Sequence, residues 1–313
     1  MVKYIGCTFW LLLANLTFSQ SIKVTIGDKG ALFTENKDSV LFYQAIGKEE
    51  QGQYMRANYV HPLFSLDGQI LTEDTPKDHL HHHGVFWAWH QLYIGDKRIG
   101  DAWENKFFKW EVMSVKPIKS KGSSKTIETQ VVWKSPLWVD EQGKEKPFVS
   151  ETTRITVYPS TKNYRIVDIQ ISLIANQPDT RIGGSEDPKG YGGFSPRIRL
   201  PEDIKFIGVN GEVEPKTNPV QSIGWLDMVG SLGANGTMAG VAMLSHPSNP
   251  GYPNPWILRS KGSMQNAVYP FPGAIPVPLS NINATVLRYR LVIHNGNLPD
   301  FNKLHQAYSQ KSF

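Results

Sequence analysis

Alternation of apolar and polar residues with a period of two is the feature that most constrains the fold of this chain. Two long segments show it, residues 148–158 and 164–174, and the turn-rich stretch 159–163 separates them. Successive side chains of a strand point to opposite faces, so this pattern predicts an antiparallel hairpin with one buried face. Shorter stretches with the same alternation occur at residues 22–26 and 286–294.

Helical signals are scarce, and the clearest of them lies near the C-terminus. After Pro299, the residues Phe301, Leu304, His305 and Tyr308 are spaced as on one face of a helix. The 27 glycines and 21 prolines are distributed along the chain, as expected for many strands joined by turns. The sequence therefore predicts an all-β fold, a large antiparallel two-sheet β-sandwich with one C-terminal helix, formed as a single domain by residues 20–313.

The first 19 residues have the pattern of a signal peptide. Lys3 precedes an apolar run at residues 4–18, and small residues before Gln20 offer a cleavage site. A membrane anchor is the alternative, but the run is shorter than the roughly 20 residues that a spanning helix needs. The single cysteine, Cys7, lies inside this segment, so a mature chain would contain no disulfide and no thiolate ligand. We therefore expect a periplasmic or secreted protein with no membrane span once the signal is removed.

The charge pattern argues against nucleic acid as a partner. The net charge is only +5, and the lysines and arginines are scattered rather than grouped. Proteins that bind nucleic acid usually concentrate basic residues on one face or in one tract.

Residues 78–90 carry the densest chemistry in the sequence. Five of the nine histidines lie there, His79, His81, His82, His83 and His90, together with Trp87 and Trp89. Consecutive histidines would face both sides of a strand, so we predict a loop that enters a buried strand after Gly84. Imidazoles suit proton transfer near neutral pH and metal binding. A solvated polar loop whose histidines only cap backbone groups is the plainer alternative.

A divalent metal is a second interpretation of the same cluster. His79 and His81 would lie on one face of an extended segment, and His90 or Asp78 could complete the ligand set. The spacing matches no specific metal signature, so the cofactor stays open between none and a divalent metal.

Other candidate ligand contacts are spread along the chain, in segments that could equally be ordinary loops. They combine planar polar groups with aromatic rings, a lining typical of sugar sites. These candidates are Arg56, His61, Tyr191, Arg197, His246, Trp256, Arg259 and Asn266. The glycine-rich stretch at residues 183–197 lacks the spacing of a phosphate loop, and its glycines could permit close approach to a ligand.

The run at residues 78–84, followed by residues 87–90, resembles an exported bacterial family labelled PmoA. Residues 59–63, 189–197 and 263–266 and the pair His246-Pro247 add to the resemblance, which extends in order over most of the mature chain. It implies an exported protein from a carbohydrate-degrading context and a site at these motifs. The strands at residues 148–174 also resemble the large sandwich of galactose mutarotases, a likeness of fold only.

The leading hypothesis is an enzyme that acts on a sugar or a uronic-acid-containing glycan by hydrolysis, β-elimination or epimerisation. His81 or His82 would be the general acid or base, with Asp78 tuning it. Arg197 or Arg259 would bind a carboxylate or a developing negative charge. Trp87, Trp89 and Trp256 would form the platform for sugar rings, with the remaining candidates as further contacts.

Two alternatives come from other functional classes. One is a metal-dependent enzyme in which His79, His81 and His90 are ligands. The other is a non-catalytic glycan-binding protein, in which the tryptophans would matter and the histidines would not.

Overall fold

A computed structural model describes residues 21–50 and 53–313 of the chain. The predicted signal peptide lies outside the described residues. The strands, in chain order, are β1 (Ile22–Gly27), β2 (Gly30–Glu35), β3 (Asp38–Gln44), β4 (Lys48–Glu50), β5 (Gln53–Arg56), β6 (Tyr59–Leu63), β7 (Val85–Trp89), β8 (Gln91–Ile94), β9 (Lys97–Gly100), β10 (Lys109–Ile118), β11 (Lys125–Lys134), β12 (Val149–Val157), β13 (Tyr164–Ala175), β14 (Thr180–Gly183), β15 (Gly192–Pro196), β16 (Lys205–Gly208), β17 (Gly211–Glu212), β18 (Trp225–Gly230), β19 (Ala239–Ser245), β20 (Trp256–Ile257), β21 (Asn266–Val268), β22 (Val277–Pro278) and β23 (Thr285–His294). A 3-10 turn covers Ala234–Gly236, and one α-helix, α1, covers Phe301–Ser309.

Two large antiparallel sheets organise these strands. One has eight strands in the order β1-β2-β3-β6-β7-β15-β21-β20, and the other has nine in the order β10-β11-β12-β13-β23-β19-β18-β16-β17. A four-stranded sheet, β22-β14-β8-β9, and the hairpin β4-β5 complete the fold. The predicted all-β class with a C-terminal helix is confirmed. The single-domain boundary at residues 20–313 stays a prediction.

The hairpin predicted from the alternation is present. Strand β12 pairs with β13 from Val149 opposite Ala175 to Val157 opposite Val167. Residues at odd positions of β12 are mostly buried, which is the pattern expected when one face of a strand covers the core.

The core lies between the two large sheets, and aromatic pairs join them. Trp89 of β7 lies 5.5 Å, between ring centroids, from Trp133 of β11. Phe194 of β15 stacks on Tyr289 of β23 at 4.4 Å. Such contacts add specific geometry to the burial of large apolar surfaces.

One buried carboxylate also connects the sheets. Glu151 of β12 is fully buried and accepts hydrogen bonds from Asn58, Trp87, Trp133 and Thr153. Burial raises the pKa of Glu151, and the four donated hydrogen bonds oppose this by stabilising the ionised form. The orientation of Trp87 in β7 is therefore set by a group on the opposite sheet.

The C-terminal helix follows its sequence signals. The carboxylate of Asp300 accepts from the backbone N–H of Lys303 and caps the first turn of α1. Phe301 and Tyr308 are buried, as their helical spacing predicts. In the described part of the chain, no helix is long and apolar enough to cross a membrane.

We predict that Glu151→Gln lowers the free energy of unfolding by about 1–3 kcal/mol. Both carboxylate oxygens of Glu151 accept indole N–H groups, Oε1 from Trp87 and Oε2 from Trp133. An amide NH2 placed at either oxygen would face a donor and leave it unsatisfied. Urea unfolding measures the change.

Glu141→Gln is the matched control, because Glu141 is exposed in the turn before β12. An equal and small effect of both substitutions would contradict the structural role of Glu151.

Candidate functional site

The alternation of side chains along β7 decides which face of the eight-stranded sheet carries the site. Trp87 and Trp89 point toward the nine-stranded sheet, where they meet Glu151 and Trp133. Phe86 points the other way and contacts the ring of His82, with centroids 6.0 Å apart. The predicted loop before Gly84 therefore folds over the outer face of β7.

A cavity of about 310 Å³ opens at this outer face, and we call it the histidine cavity. It brings together four of the five clustered histidines. Its lining consists of His79, His81, His82, His90, Trp103, Glu104, Ser185, Asp187, Lys189, Tyr191, Ser263 and Met264.

Arg197 ties the histidine loop to the sheet. Its Nε donates to Glu73 at 2.8 Å, and its Nη2 donates to both oxygens of Asp78 at 2.8 and 2.9 Å. Its Nη1 faces Nδ1 of His82 at 3.4 Å. A guanidinium can only donate, so Nδ1 of His82 is the acceptor and the proton of this ring lies on Nε2.

The predicted role of Arg197 as a ligand for a substrate carboxylate is therefore corrected. The residue is only 2% exposed, and two carboxylates and an imidazole already occupy its donors. Arg197 positions the loop.

The imidazoles of the loop pack against one another. The rings of His79 and His82 are stacked, with centroids 4.6 Å apart, and His81 stands at 78° to His82. Burial lowers the pKa of His82 strongly, and the neighbouring His81, His79 and Arg197 lower it further. His82 is therefore neutral across the physiological range. The assignment of His81 or His82 as the acid or base stays a prediction.

His81 and Glu104 face each other in the wall of the histidine cavity. Nε2 of His81 lies 3.8 Å from Oε1 of Glu104, and the two side chains are 14% and 28% exposed. Burial lowers the pKa of His81 to about 4, despite the opposing effect of Glu104. Arg56, His79 and His90 add to the lowering. At neutral pH His81 is thus an unprotonated imidazole that is accessible from the cavity.

Two further histidines are oriented by carboxylates. Nδ1 of His79 is 2.9 Å from Asp78, and Nδ1 of His90 is 2.9 Å from Asp101. Hydrogen bonds of this kind fix the ring orientation and leave Nε2 as the second polar atom. The sequence suggested that Asp78 tunes His81 or His82. In the structure, Asp78 instead hydrogen-bonds His79.

Trp103 and Tyr191 are the aromatic residues of the cavity wall. The ring of His90 stacks on Trp103 with centroids 5.3 Å apart, and the ring of Tyr191 lies 5.6 Å from that of Trp103. Trp103 is only 2% exposed, so of these two rings only the partly exposed Tyr191 offers a surface to a ligand such as a sugar ring.

The predicted tryptophan platform is wrong. Trp87, Trp89 and Trp256 are each at most 1% exposed. Their indole N–H groups donate inside the protein, to Glu151, to the Tyr269 carbonyl and to the Ser222 carbonyl. The alternation of β7 buries its two tryptophans between the sheets, and Trp256 packs in the core at β20.

Arg56 lies beneath the cavity rather than in it. It is fully buried between the rings of Phe86 and Trp110, and its Nη2 donates to the carbonyls of Ala102 and Trp103. Burial lowers the pKa of Arg56 to about 9. The residue supports the segment that presents Trp103 and Glu104.

Three other predicted contacts also lie outside the cavity. His61 hydrogen-bonds Thr72 through Nδ1. His246 packs against the C-terminal helix at Tyr308. Asn266 is fully buried and bonds the strand backbone at Gly192. These three residues stabilise the fold, and the expectation that they contact a ligand is corrected.

The glycines of residues 183–197 serve chain packing. Gly190 has a positive φ of 67°, and a Cβ atom there would lie 2.9 Å from the backbone N of Gly273. A Cβ atom at Gly184 would collide with the carbonyl oxygen of Gly190. The close approach that these glycines permit is between backbones, and it sets the position of Tyr191.

Arg259 fixes the position of the Tyr191 hydroxyl. Its Nε and Nη2 donate to the Tyr191 hydroxyl at 3.1 and 2.7 Å. Its remaining donors reach the carbonyls of Lys216, Thr217 and Leu258. The guanidinium therefore contributes charge and rigidity rather than a free hydrogen-bond donor.

The metal hypothesis gains no support from the geometry. Over residues 21–50 and 53–313, no group of three or more His, Cys, Asp and Glu side chains is arranged to hold a metal ion. His79 and His90 lie at the cavity with His81, but each is turned toward its own carboxylate. Metal binding by these three residues stays a prediction.

Trp103, Glu104, Asp187 and Lys189 are site residues that sequence reasoning missed. Trp103 and Glu104 follow β9 directly, where loops carry binding residues on a rigid scaffold. The adjacent aromatic ring and carboxylate, in a loop after a strand, could have marked both residues as candidates in the sequence. Asp187 and Lys189 lie within the glycine-rich stretch. Charged residues between glycines could have marked these two positions as candidates.

Sequence comparison assigns the chain to a family. Residues 31–309 match the family described as "Family of unknown function (DUF6807)". The chain belongs to the DUF6807 family. The match covers most of the chain, including every residue that lines the histidine cavity. It does not carry the PmoA label suggested by the resemblance.

Other comparisons are more distant. No curated protein matches the sequence. A solved structure titled a "putative mutarotase (YeaD)" from Salmonella typhimurium is similar at 10% identity, covering 88% of this chain and 94% of that chain, with a TM-score of 0.36.

We predict that Arg197→Met loosens the histidine loop and lowers the free energy of unfolding by about 2 kcal/mol. Glu73 and Asp78 are partly exposed, so the loss should be smaller than for a fully buried pair. Amide hydrogen exchange should become faster at residues 73–83.

Arg154→Met is the control, because Arg154 pairs with Glu128 on an exposed sheet face. Unchanged exchange at residues 73–83 in Arg197→Met would contradict the positioning role of Arg197.

A second prediction concerns pH. The pKa of His82 is lowered in the folded state, so the unfolded state binds the extra proton and stability falls as pH drops below about 6.5. His82→Asn keeps an acceptor toward Arg197 but removes this titration. Between about pH 7.5 and pH 5, the wild type should lose about 2 kcal/mol more than the variant. Parallel pH dependences in urea unfolding would contradict this.

Proposed function

We propose that the histidine cavity is the active site of an acid–base enzyme that acts on a sugar or a uronic-acid-containing glycan. One observation carries the proposal: the neutral imidazole of His81 and the carboxyl of Glu104 meet in the wall of an open cavity, at 3.8 Å. Proton transfer by positioned side chains, most often histidine, is a general catalytic device.

His81 is the proposed general base. Its pKa of about 4 keeps the imidazole unprotonated at neutral pH, so it can accept a proton from a hydroxyl or a carbon acid. Glu104 stabilises the imidazolium that forms, because a carboxylate at this distance favours the charged ring.

His82 and His90 have supporting roles in this proposal. The tautomer of His82 places its Nε2–H as a donor, suited to a sugar oxygen that gains negative charge. His90 is fixed by Asp101 and stacks on the buried Trp103, so the His90 ring presents a rigid wall to the substrate.

The carbohydrate substrate class is supported by the lining. Tyr191 offers a ring face, and Glu104, Asp187 and Ser185 offer polar atoms that can bind hydroxyl groups. We also propose that the enzyme acts in the periplasm or outside the cell, on the basis of the apolar N-terminal segment.

His81→Asn should reduce turnover by about 10²- to 10⁴-fold without changing the fold, since asparagine cannot accept a proton at neutral pH. A panel of glycans would be screened for three products: new reducing ends, the ultraviolet absorbance of an unsaturated uronate, and epimers resolved by NMR. These separate hydrolysis, β-elimination and epimerisation.

His61→Asn is the matched control, because His61 lies outside the cavity. Full turnover in His81→Asn would overturn the assignment. Glycan binding without turnover, unchanged by either substitution, would favour a non-catalytic glycan-binding protein instead.

A further inference from the structure

A second cavity of about 410 Å³ adjoins the histidine cavity. Lys189 and Tyr191 line both. Residues 258–261 form a wall of the second cavity, and Ser263 and Met264 continue that segment into the first. A ligand longer than one sugar ring would extend from one cavity into the other across Tyr191.

The second cavity is strongly basic, and we call it the cationic cavity. Lys189, Lys216, Arg259 and Lys261 line it, and none of the described lining residues is acidic. Lys189 is paired with Asp187 at 2.9 Å. Among the described residues, no acidic side chain pairs with Lys216, Arg259 or Lys261 within 4.0 Å.

The cations of this cavity have different roles. The donors of Arg259 are taken by Tyr191 and by the carbonyls of Lys216, Thr217 and Leu258, which holds the two walls together. Lys216 and Lys261 are exposed, and their ammonium groups remain available to a ligand. Holding several cations in one concave site costs repulsion energy, which an anionic ligand would relieve.

Tyr191 adds a directed hydrogen bond. Its hydroxyl oxygen accepts two bonds from Arg259, so its own proton points elsewhere. Among the described hydrogen bonds this proton has no acceptor. Because Tyr191 lines both cavities, this hydroxyl is available to a ligand that extends from one cavity into the other.

We propose that the cationic cavity is a subsite for an anionic group, a carboxylate or a sulfate ester, on the sugar unit next to the one held in the histidine cavity. The inference rests on the proposed function, and it narrows the substrate class to acidic glycans of at least two units. Lys216 and Lys261 bind the anion, Tyr191 donates to it or to the adjoining sugar, and Arg259 holds the site in shape.

The test uses the mature protein and immobilised oligosaccharides of pectin, alginate and sulfated galactans. Each acidic oligosaccharide is paired with its carboxyl-reduced or desulfated counterpart. We expect binding to at least one acidic member, at least about tenfold weaker binding to its neutral counterpart, and weakening as salt is added. The pair that responds tells whether the anion is a carboxylate or a sulfate.

The double variant Lys216→Ala/Lys261→Ala should weaken this binding by about tenfold. Lys116→Ala/Lys303→Ala is the control with the same change of charge, since both of those lysines are exposed outside the cavity. Equal binding to acidic and neutral members, no binding to any acidic member, or equal effects of the two double variants would overturn the inference.

Kinetics separate this inference from the proposed function. Lys216→Ala/Lys261→Ala should raise KM and leave kcat unchanged, whereas His81→Asn should lower kcat and retain binding of the acidic glycan. Turnover retained in His81→Asn would overturn the proposed function alone. An unchanged KM in the lysine variant would overturn the subsite alone.

Discussion

The buried guanidinium of Arg197 is the interaction on which the site depends. It extends from the chain just after β15 and holds both Glu73 and Asp78, at distances of 2.8 to 2.9 Å. A buried charge is tolerated only when it is paired and hydrogen-bonded. Moving either carboxylate away would leave the Arg197 charge unpaired, so the ion pairs hold both carboxylates in position. Asp78 begins the histidine loop, and the loop is thereby fixed over the outer face of β7.

The same arrangement determines the protonation of the cluster. Arg197 faces Nδ1 of His82 and excludes a proton from that atom. Burial and neighbouring positive groups lower the pKa of both His81 and His82. The five imidazoles of residues 79–90 therefore have different surroundings. His82 is held neutral, His79 and His90 are each paired with a carboxylate, and His83 is buried against Asp74. His81 faces Glu104 across the cavity wall.

The two faces of β7 divide the aromatic residues between structure and site. Trp87 and Trp89 point into the space between the sheets, where Trp87 donates a hydrogen bond to Glu151 and Trp89 packs against Trp133. Phe86 points outward and underlies His82 and Trp103. A single strand thus anchors the core on one side and supports the cavity on the other. The buried carboxylate of Glu151 couples the two sheets, so the outer face of β7 has a defined position relative to the rest of the fold.

Much of the fold could be predicted from local patterns. The β12–β13 hairpin, the strand beginning at Val85 and the helix from Phe301 to Ser309 all follow from periodicity and turn residues. The histidine loop was predictable as a functional candidate, because so many imidazoles rarely occur together without a role. The apolar run after Gly84 predicted a buried strand, but it did not show that this burial removes Trp87 and Trp89 from the cavity.

The rest of the site depends on residues that are distant in sequence. Glu104 and His81 are 23 positions apart, and Lys189, Lys216 and Lys261 come from three separate loops. Their meeting follows from strand order in the sheets and from the backbone contacts of Gly184, Gly190 and Gly273.

The sequence by itself determined the all-β class, the principal hairpin, the C-terminal helix and the segment that carries the histidines. Each of these arises from interactions between residues close along the chain, whose spacing is visible in the sequence. Only the tertiary structure decided which tryptophans are buried, which histidine faces Glu104 and which cations line one cavity. Those outcomes depend on long-range packing and on the pairing of buried charges, and neither leaves a periodic signal.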